Sequence, residues 1–329
     1  MEETVIATRE ILWNIPESFK ITMYSMLAVA LLVFIRGIWS RALFVTNQKN
    51  LKNLFVPGGL IPNVSSLQWR QFFKTLFFTG KVIRDHSVGF FHSLIFYGFV
   101  ILWIATDLVA IHYNTPFRIF TGTTYIVISF LADFAGLMIL AGIGFARHRR
   151  YVQRSTKLTA TKPNQERVMY AFLIVLVLIG YFIEGIRILG NGLPEGERVW
   201  SPIGFALAHL FSKFSWSNEV WSKLHLGLWF FHMSSTMIFV AIIPYTKFFH
   251  FLALPIQAFL TPKRRGGILG TMNSFGLSKF SEMTMKNRFD LISCVECGRC
   301  TEVCPALAAG KNLNPKTIIT KARDLAFES

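Results

Sequence analysis

Five apolar runs, Phe19–Ile38, Val88–Ile111, Ile119–Phe145, Met169–Leu189 and Leu224–Tyr245, alternate along the chain with stretches rich in lysine and arginine. Each is close to or above the roughly 20 residues that a helix needs to cross a hydrocarbon core about 30 Å thick. The pattern predicts five transmembrane helices. A shorter apolar run, Pro202–Phe214, is broken by His209 and Lys213 and reads as an interfacial or re-entrant piece, or as a short amphipathic helix. Beyond the last run, Pro255, Pro262 and the Gly266-Gly267 pair punctuate the exit from the membrane. Gly270–Ser293 reads as a polar linker with some amphipathic helix. Asn314 and Pro315 are the expected N-cap and first residue of a surface helix over Lys316–Phe327. There is no internal repeat and no low-complexity run.

Composition supports the membrane assignment. Hydrophobic residues make up 52% of the chain, phenylalanine alone fills 33 positions, and charged residues are only 16%. Charge then orients the spans. Arg36, Arg41, Lys49, Lys52, Arg70, Lys74, Lys81 and Arg84 follow the first run, and Arg147, Arg149, Arg150, Arg154, Lys157, Lys162 and Arg167 follow the third. By the positive-inside rule both segments face the cytoplasm. Lys247, Lys263, Arg264, Arg265, Lys279, Lys286 and Arg288 after the fifth run agree, whereas Glu2, Glu3, Glu10 and Glu17 crowd the N-terminus. The expected topology is N-terminus outside and C-terminus cytoplasmic, which an odd number of spans also requires. The net charge of +16 follows from this topology and from anionic lipid headgroups, and needs no nucleic-acid partner. No basic segment precedes the first run, so it is expected to be retained rather than cleaved.

The chemistry sits first in the cysteines. All four fall in Cys294-Val-Glu-Cys297-Gly-Arg-Cys300-Thr-Glu-Val-Cys304-Pro305, a C-x2-C-x2-C-x3-C-P run. That spacing is an iron–sulfur signature of the 4Fe–4S type, and in two-cluster ferredoxins the fourth cysteine serves the other cluster. Three arrangements stay open: Cys294, Cys297 and Cys300 with a fourth ligand from elsewhere, all four on one cluster, or a partner chain that supplies a second motif. A structural zinc site is the competing reading, and the Cys-Pro ending is poor zinc grammar. Disulfides do not suit a positively flanked cytosolic segment.

Histidines form the second constellation. His225, His232 and His250 are 7 and 18 residues apart, spacings that return to nearly the same face of one straight helix. On such a helix His232 and His250 would stand about 27 Å apart, enough to serve hemes in opposite leaflets, although Pro244 between them is a kink site. His92 lies near the inner end of the second span, in Gly89-Phe-Phe-His92, and His250 near the inner end of the fifth. These two could clasp one heme b iron from opposite sides. Within the spans, Glu184 and Arg187 either pair with each other or handle a quinol proton and a heme propionate. Asp107 lies toward the outside of the second span and Asp133 near the middle of the third. His86 and His148 stand among basic residues as solvated side chains.

Phe91-His92 with its following apolar run, the His232/His250 pair, and Ile243-Pro-Tyr-Thr-Lys-Phe-Phe-His250 running into Leu254-Pro255 resemble the membrane cytochrome b (gamma) subunit of respiratory nitrate reductases. Cys297-Gly-Arg-Cys300-Thr-Glu-Val-Cys304-Pro-Ala, continuing through Gly310-Lys311 to Asn314-Pro315-Lys316, resembles the start of heterodisulfide-reductase-like iron–sulfur proteins. The resemblance covers about the whole chain. It departs at Leu102, where the gamma subunit carries a further histidine on the second span. His232 then finds a partner in His112 or His209, or His225 is the outer ligand, or there is one heme with an apolar or quinone-filled outer half. Relatives with this tail also carry a second cluster motif and cysteine-rich catalytic domains beyond the point where this sequence stops.

The expected fold is an all-α membrane protein. A five-helix cytochrome-b-like domain over residues 1–262 is followed by a linker over 263–293 and a ferredoxin-like iron–sulfur segment over 294–329. The resemblance implies a multi-pass subunit of the cell's inner membrane. It would relay electrons between a cytosolic iron–sulfur or flavoprotein partner and (mena)quinone, through one 4Fe–4S cluster and one or two b hemes. His92, His250, His232 and His225 are the candidate heme ligands and Cys294, Cys297, Cys300 and Cys304 the metal ligands. Glu184 and Asp107 are the candidates for quinone proton handling, in a pocket at the outer ends of the second, fourth and fifth spans. The alternatives are a non-catalytic membrane anchor for a soluble oxidoreductase and a transporter with a zinc motif; the latter lacks the inverted repeats and broken helices of its class.

Overall fold

The structure, a computed structural model, describes residues 10–46, 86–153, 163–259 and 280–328, together with Trp69, Phe72, Phe73 and Phe77. The α-helices among the described residues are α1 Glu17–Val45, α2 His86–Asn114, α3 Gly122–Arg147, α4 Pro163–Gly190, α5 Glu197–Trp200, α6 Pro202–Phe211, α7 Asn218–Ile242, α8 His250–Phe259, α9 Met285–Ile292, α10 Arg299–Glu302, α11 Pro305–Ala308 and α12 Pro315–Glu328. Five of the described helices are long and apolar enough to cross a membrane, at the positions of the five apolar runs. Lys49, Lys52, Arg70, Lys74, Lys81 and Arg84 lie outside the described residues. So do Arg154, Lys157 and Lys162, and the stretch 260–279 with Pro262, Lys263, Arg264, Arg265 and Lys279.

The chain divides into two compact units. The first holds the start of α1, then α2, α3, α4, α5, α6 and most of α7. Its helices approach closely because glycine stands at the crossings. A β-carbon at Gly98 would come within 2.7 Å of the Ala135 carbonyl, and one at Gly142 within 2.6 Å of Ile95 Cγ1. Such small residues are what let helix backbones meet where lipid offers no hydrophobic drive. The short apolar run becomes α6, packed on α4 where Gly185 faces Leu207 and Phe211. Ile186, Phe211 and Trp221 form a buried cluster beside it.

The second unit gathers the end of α1, the chain after Ile238, and the cysteine segment. Val45, Phe249, Ala253, Phe289 and Ile292 make its buried core. Arg41 lies 4.2 Å from the centre of the Phe249 ring and donates to the Pro244 and Ile292 carbonyls. Arg288 Nε donates to the Val45 carbonyl at 2.7 Å, and Phe44 stacks on Phe327 of α12. The last third of the expected linker carries the amphipathic helix. Residues 285–292 form a helix with its apolar face buried against α1 and α8, each such side chain worth about 1.5 to 3 kcal/mol of transfer free energy.

One expectation fails in the fifth span. α7 ends at Ile242, and two short turns, Ile243–Tyr245 and Lys247–Phe249, intervene before α8 begins at His250. Pro244 has no N–H for the helical ladder, and Thr246 adopts extended backbone (φ −119°, ψ 178°), where its hydroxyl accepts from the Phe248 N–H. The phase of α7 is lost there. His225 and His232 keep a common face of α7, and His250 stands on a separate helix.

Candidate functional site

Cys294 follows the C-terminus of α9, whose Thr284 cap accepts from the Asn287 N–H. The loop then turns through two residues of positive φ, Glu296 (59°) and Gly298 (76°), before α10 and α11. Gly298 adopts this conformation at no steric cost; Glu296 costs about 1 kcal/mol. At the far end Asn314 Oδ1 accepts from Thr301 Oγ1 and from the backbone N–H groups of Lys316 and Thr317, the cap expected for α12. All four cysteines are free thiols: Cys297 is exposed, Cys294 and Cys300 are half-buried and Cys304 is buried. Burial pushes the Cys294 thiol above its ordinary pKa.

Glu296 is the best-anchored residue of this loop. Its side chain is only 1% exposed; Oε2 meets Lys247 Nζ at 2.8 Å and Oε1 meets Arg323 Nη2 at 2.8 Å. Arg323 also donates to the Cys294 carbonyl at 3.3 Å. Lys247 sits in the turn before α8, and its carbonyl lies 2.6 Å from His250 Nδ1. A carbonyl only accepts, so Nδ1 carries the proton and Nε2 keeps the lone pair. Burial holds His250 below its ordinary pKa, hence neutral, the form that binds a metal.

In the first unit, His225 is 3% exposed and edge-on to Trp13. Its Nδ1, like that of His232, has no hydrogen-bond partner among the described residues. His232 lies beside Gly180 of α4. His92, on α2, is half-buried with its ring parallel to Phe96. Of the two other partners considered for His232, His112 Nδ1 accepts from the Phe120 N–H at 2.9 Å, closing the turn between α2 and α3, and His209 is exposed. His92 and His250 belong to different units, and each is described only within its own.

Glu184 and Arg187 form one network with Glu197 and Tyr125. Arg187 donates to both oxygens of Glu184, at 3.1 and 2.8 Å, and to Glu197 Oε1 at 3.0 Å. Tyr125 Oη donates to the same Glu197 oxygen at 2.9 Å. Glu197 Oε2 is buried with no hydrogen-bond partner among the described residues. Asp133 Oδ2 accepts the Ile203 N–H at 2.6 Å, so a carboxylate on α3 caps the N-terminus of α6, whose own Ser201 makes no side-chain cap. Asp107 is exposed on α2, outside this network. Glu197 and Tyr125 escaped the sequence reading because neither stands out: Glu197 sits in what reads as an ordinary surface loop, and a tyrosine in an apolar run reads as packing.

The donor chemistry suits the expected groups. Four soft thiols within eleven residues match a cluster, and imidazoles with a buried, unpartnered nitrogen, as at His225 and His232, match heme. Among the described residues, however, no three His, Cys, Asp or Glu side chains are gathered into a set that could hold a metal ion. The thiols stand along a folded loop, not in a closed cage.

Fold and site together define a class: a multi-pass, all-helical membrane protein with a cysteine segment folded onto the end of its first membrane helix. Known proteins fall in line with it. The chain is 31% identical over 317 residues to EtfAB:quinone oxidoreductase of Syntrophomonas wolfei subsp. wolfei, an alignment covering 92% of this chain and 42% of that protein. It is 28% identical over 257 residues to the probable iron–sulfur-binding oxidoreductase FadF of Bacillus subtilis, covering 74% and 35%. A 44-residue stretch is 46% identical to a probable membrane-anchored ferredoxin of Chromohalobacter salexigens. The chain spans less than half the length of these relatives. It is thus related to iron–sulfur oxidoreductases. No protein-family model and no solved structure matches it.

Proposed function

We propose that this chain is the membrane electron-transfer part of a quinone-linked iron–sulfur oxidoreductase, carrying electrons between a cytosolic redox partner and (mena)quinone. One observation carries the reading: the C-x2-C-x2-C-x3-C-P loop is packed in the same unit as His250, a neutral imidazole whose Nε2 lone pair is kept open by the Lys247 carbonyl. The names of the relatives support the iron–sulfur and quinone parts. The heme part rests on the resemblance to gamma-type cytochrome b and on the buried, open nitrogens of His225 and His232.

Cys294, Cys297 and Cys300 would hold a 4Fe–4S cluster, with Cys304 turned toward a second cluster completed from outside this sequence. His92 and His250 would hold a heme near the cytoplasmic ends of their helices, and His232 or His225 would hold an outer one. Bound there, cluster and heme supply one-electron redox chemistry. The residues themselves hold, space and shield. Arg187 pairs with Glu184 and Glu197 in an apolar surrounding. The open Oε2 of Glu197 gives that network a place to take up or release a proton beside a bound quinone, and Glu184 shares the charge. Asp107, exposed on α2, would act only at the entrance.

The test is the pigment of the purified chain. Non-heme iron and acid-labile sulfide in equal amounts, with a quinol-reducible b-type heme spectrum that is lost in His92→Ala or His250→Ala, is the expected result. A colourless, iron-free protein makes the chain a membrane anchor, and stoichiometric zinc without sulfide ends the cluster assignment.

A further inference from the structure

Glu296 combines three features that a loop residue rarely has together. It holds positive φ, its carboxylate is nearly inaccessible, and each oxygen meets a different cation at 2.8 Å. The two cations come from separate parts of the chain: Lys247 from the turn that follows the fifth span, Arg323 from α12. In sequence Glu296 also stands between two of the cysteines, one residue before Cys297 and two after Cys294. Hydrogen bonds continue outward on both sides. Arg323 reaches the Cys294 carbonyl, and the Lys247 carbonyl holds His250 Nδ1.

We propose that Glu296 is a positioning residue that clamps the cysteine loop to the turn carrying His250, with Lys247 and Arg323 as the two jaws. The connection Cys297–Glu296–Lys247–His250 is made of one peptide bond, one ion pair and one hydrogen-bonded turn, so it fixes the spacing of the two candidate redox groups. Electron transfer falls steeply with distance, and a cysteine loop free to swing would make that spacing variable. Desolvation offsets much of the attraction in a buried ion pair, so its net stabilisation is small, and in some proteins such a pair serves to specify geometry. An exposed glutamate would have served solubility equally well; its burial at a strained backbone position is what points to clamping.

The inference rests on the redox reading for its purpose but not for its test, which is amide hydrogen exchange on the full chain in lipid nanodiscs. In Glu296→Gln, exchange across residues 294–300 rises by about tenfold or more. Lys247→Gln raises it as well, and the double variant adds little further, because both changes break one connection. Exchange elsewhere in α7 and α12 stays as in the parent, which separates release of the loop from general unfolding. Unchanged exchange in Glu296→Gln overturns the clamp, as do effects of Glu296→Gln and Lys247→Gln that simply add. Iron, sulfide and heme are measured on the same samples. A protein lacking them but showing the exchange pattern refutes the redox reading and keeps the clamp; a fully loaded protein without the pattern does the reverse.

Discussion

Arg187 shows how a single side chain sets the environment of several others. It is 5% exposed and faces the carboxylates of Glu184 and Glu197 at once, with Tyr125 completing the Glu197 end. Removing one partner of a buried ion pair is costly because the other charge is left without compensation, typically by about 3 to 5 kcal/mol. Arg187→Gln is therefore expected to cost about 3 kcal/mol or more, read as a lowered thermal midpoint in detergent. Glu184→Gln costs less, since Glu197 still faces the guanidinium. Equal losses in the two variants would mean that Arg187 does not serve both carboxylates.

At the scale of elements, the packing of α2 on α3 depends on which glycine of α3 faces the partner. A β-carbon at Gly142 would meet Ile95 Cγ1 at 2.6 Å and the Phe91 carbonyl at 2.9 Å, whereas one at Gly144 meets nothing within 4 Å. The carbonyl is backbone and cannot swing aside. Gly142→Leu is expected to destabilise by about 1 to 3 kcal/mol, the usual range for overpacking, while Gly144→Leu leaves the stability within about 0.5 kcal/mol of the parent, both read from thermal unfolding. Comparable losses at both sites would contradict this helix crossing. The break after α7 belongs to the same scale: Pro244 and the extended Thr246 end one helix and start another, and this places His250 on its own element.

For the whole molecule, five apolar helices and the distribution of lysine and arginine make one topological statement. A reporter that is active only in the cytoplasm is expected to work when fused after Ser329 and to fail when inserted in the 191–196 loop that joins the fourth span to α5. A reporter active only outside gives the opposite pattern. Activity of the cytoplasmic reporter in the 191–196 loop would invert the orientation and move the cysteine segment to the outer face.

The sequence by itself determined the five spans, because about 20 apolar residues in a row have no other low-energy place than a bilayer. It determined the cysteine motif, since the spacing lies within eleven residues, and it determined the Asn314 cap, which is equally local. It also offered Glu184 with Arg187, three residues apart on one helix. Only the tertiary structure brought Glu197 and Tyr125 to that pair, used Asp133 as a cap for a helix 70 residues away, and set Glu296 between Lys247 and Arg323. The physical reason is common to all three. A buried charge must find its partner wherever packing puts one, and the partner's position in the chain carries no periodic signal that a sequence pattern could reveal.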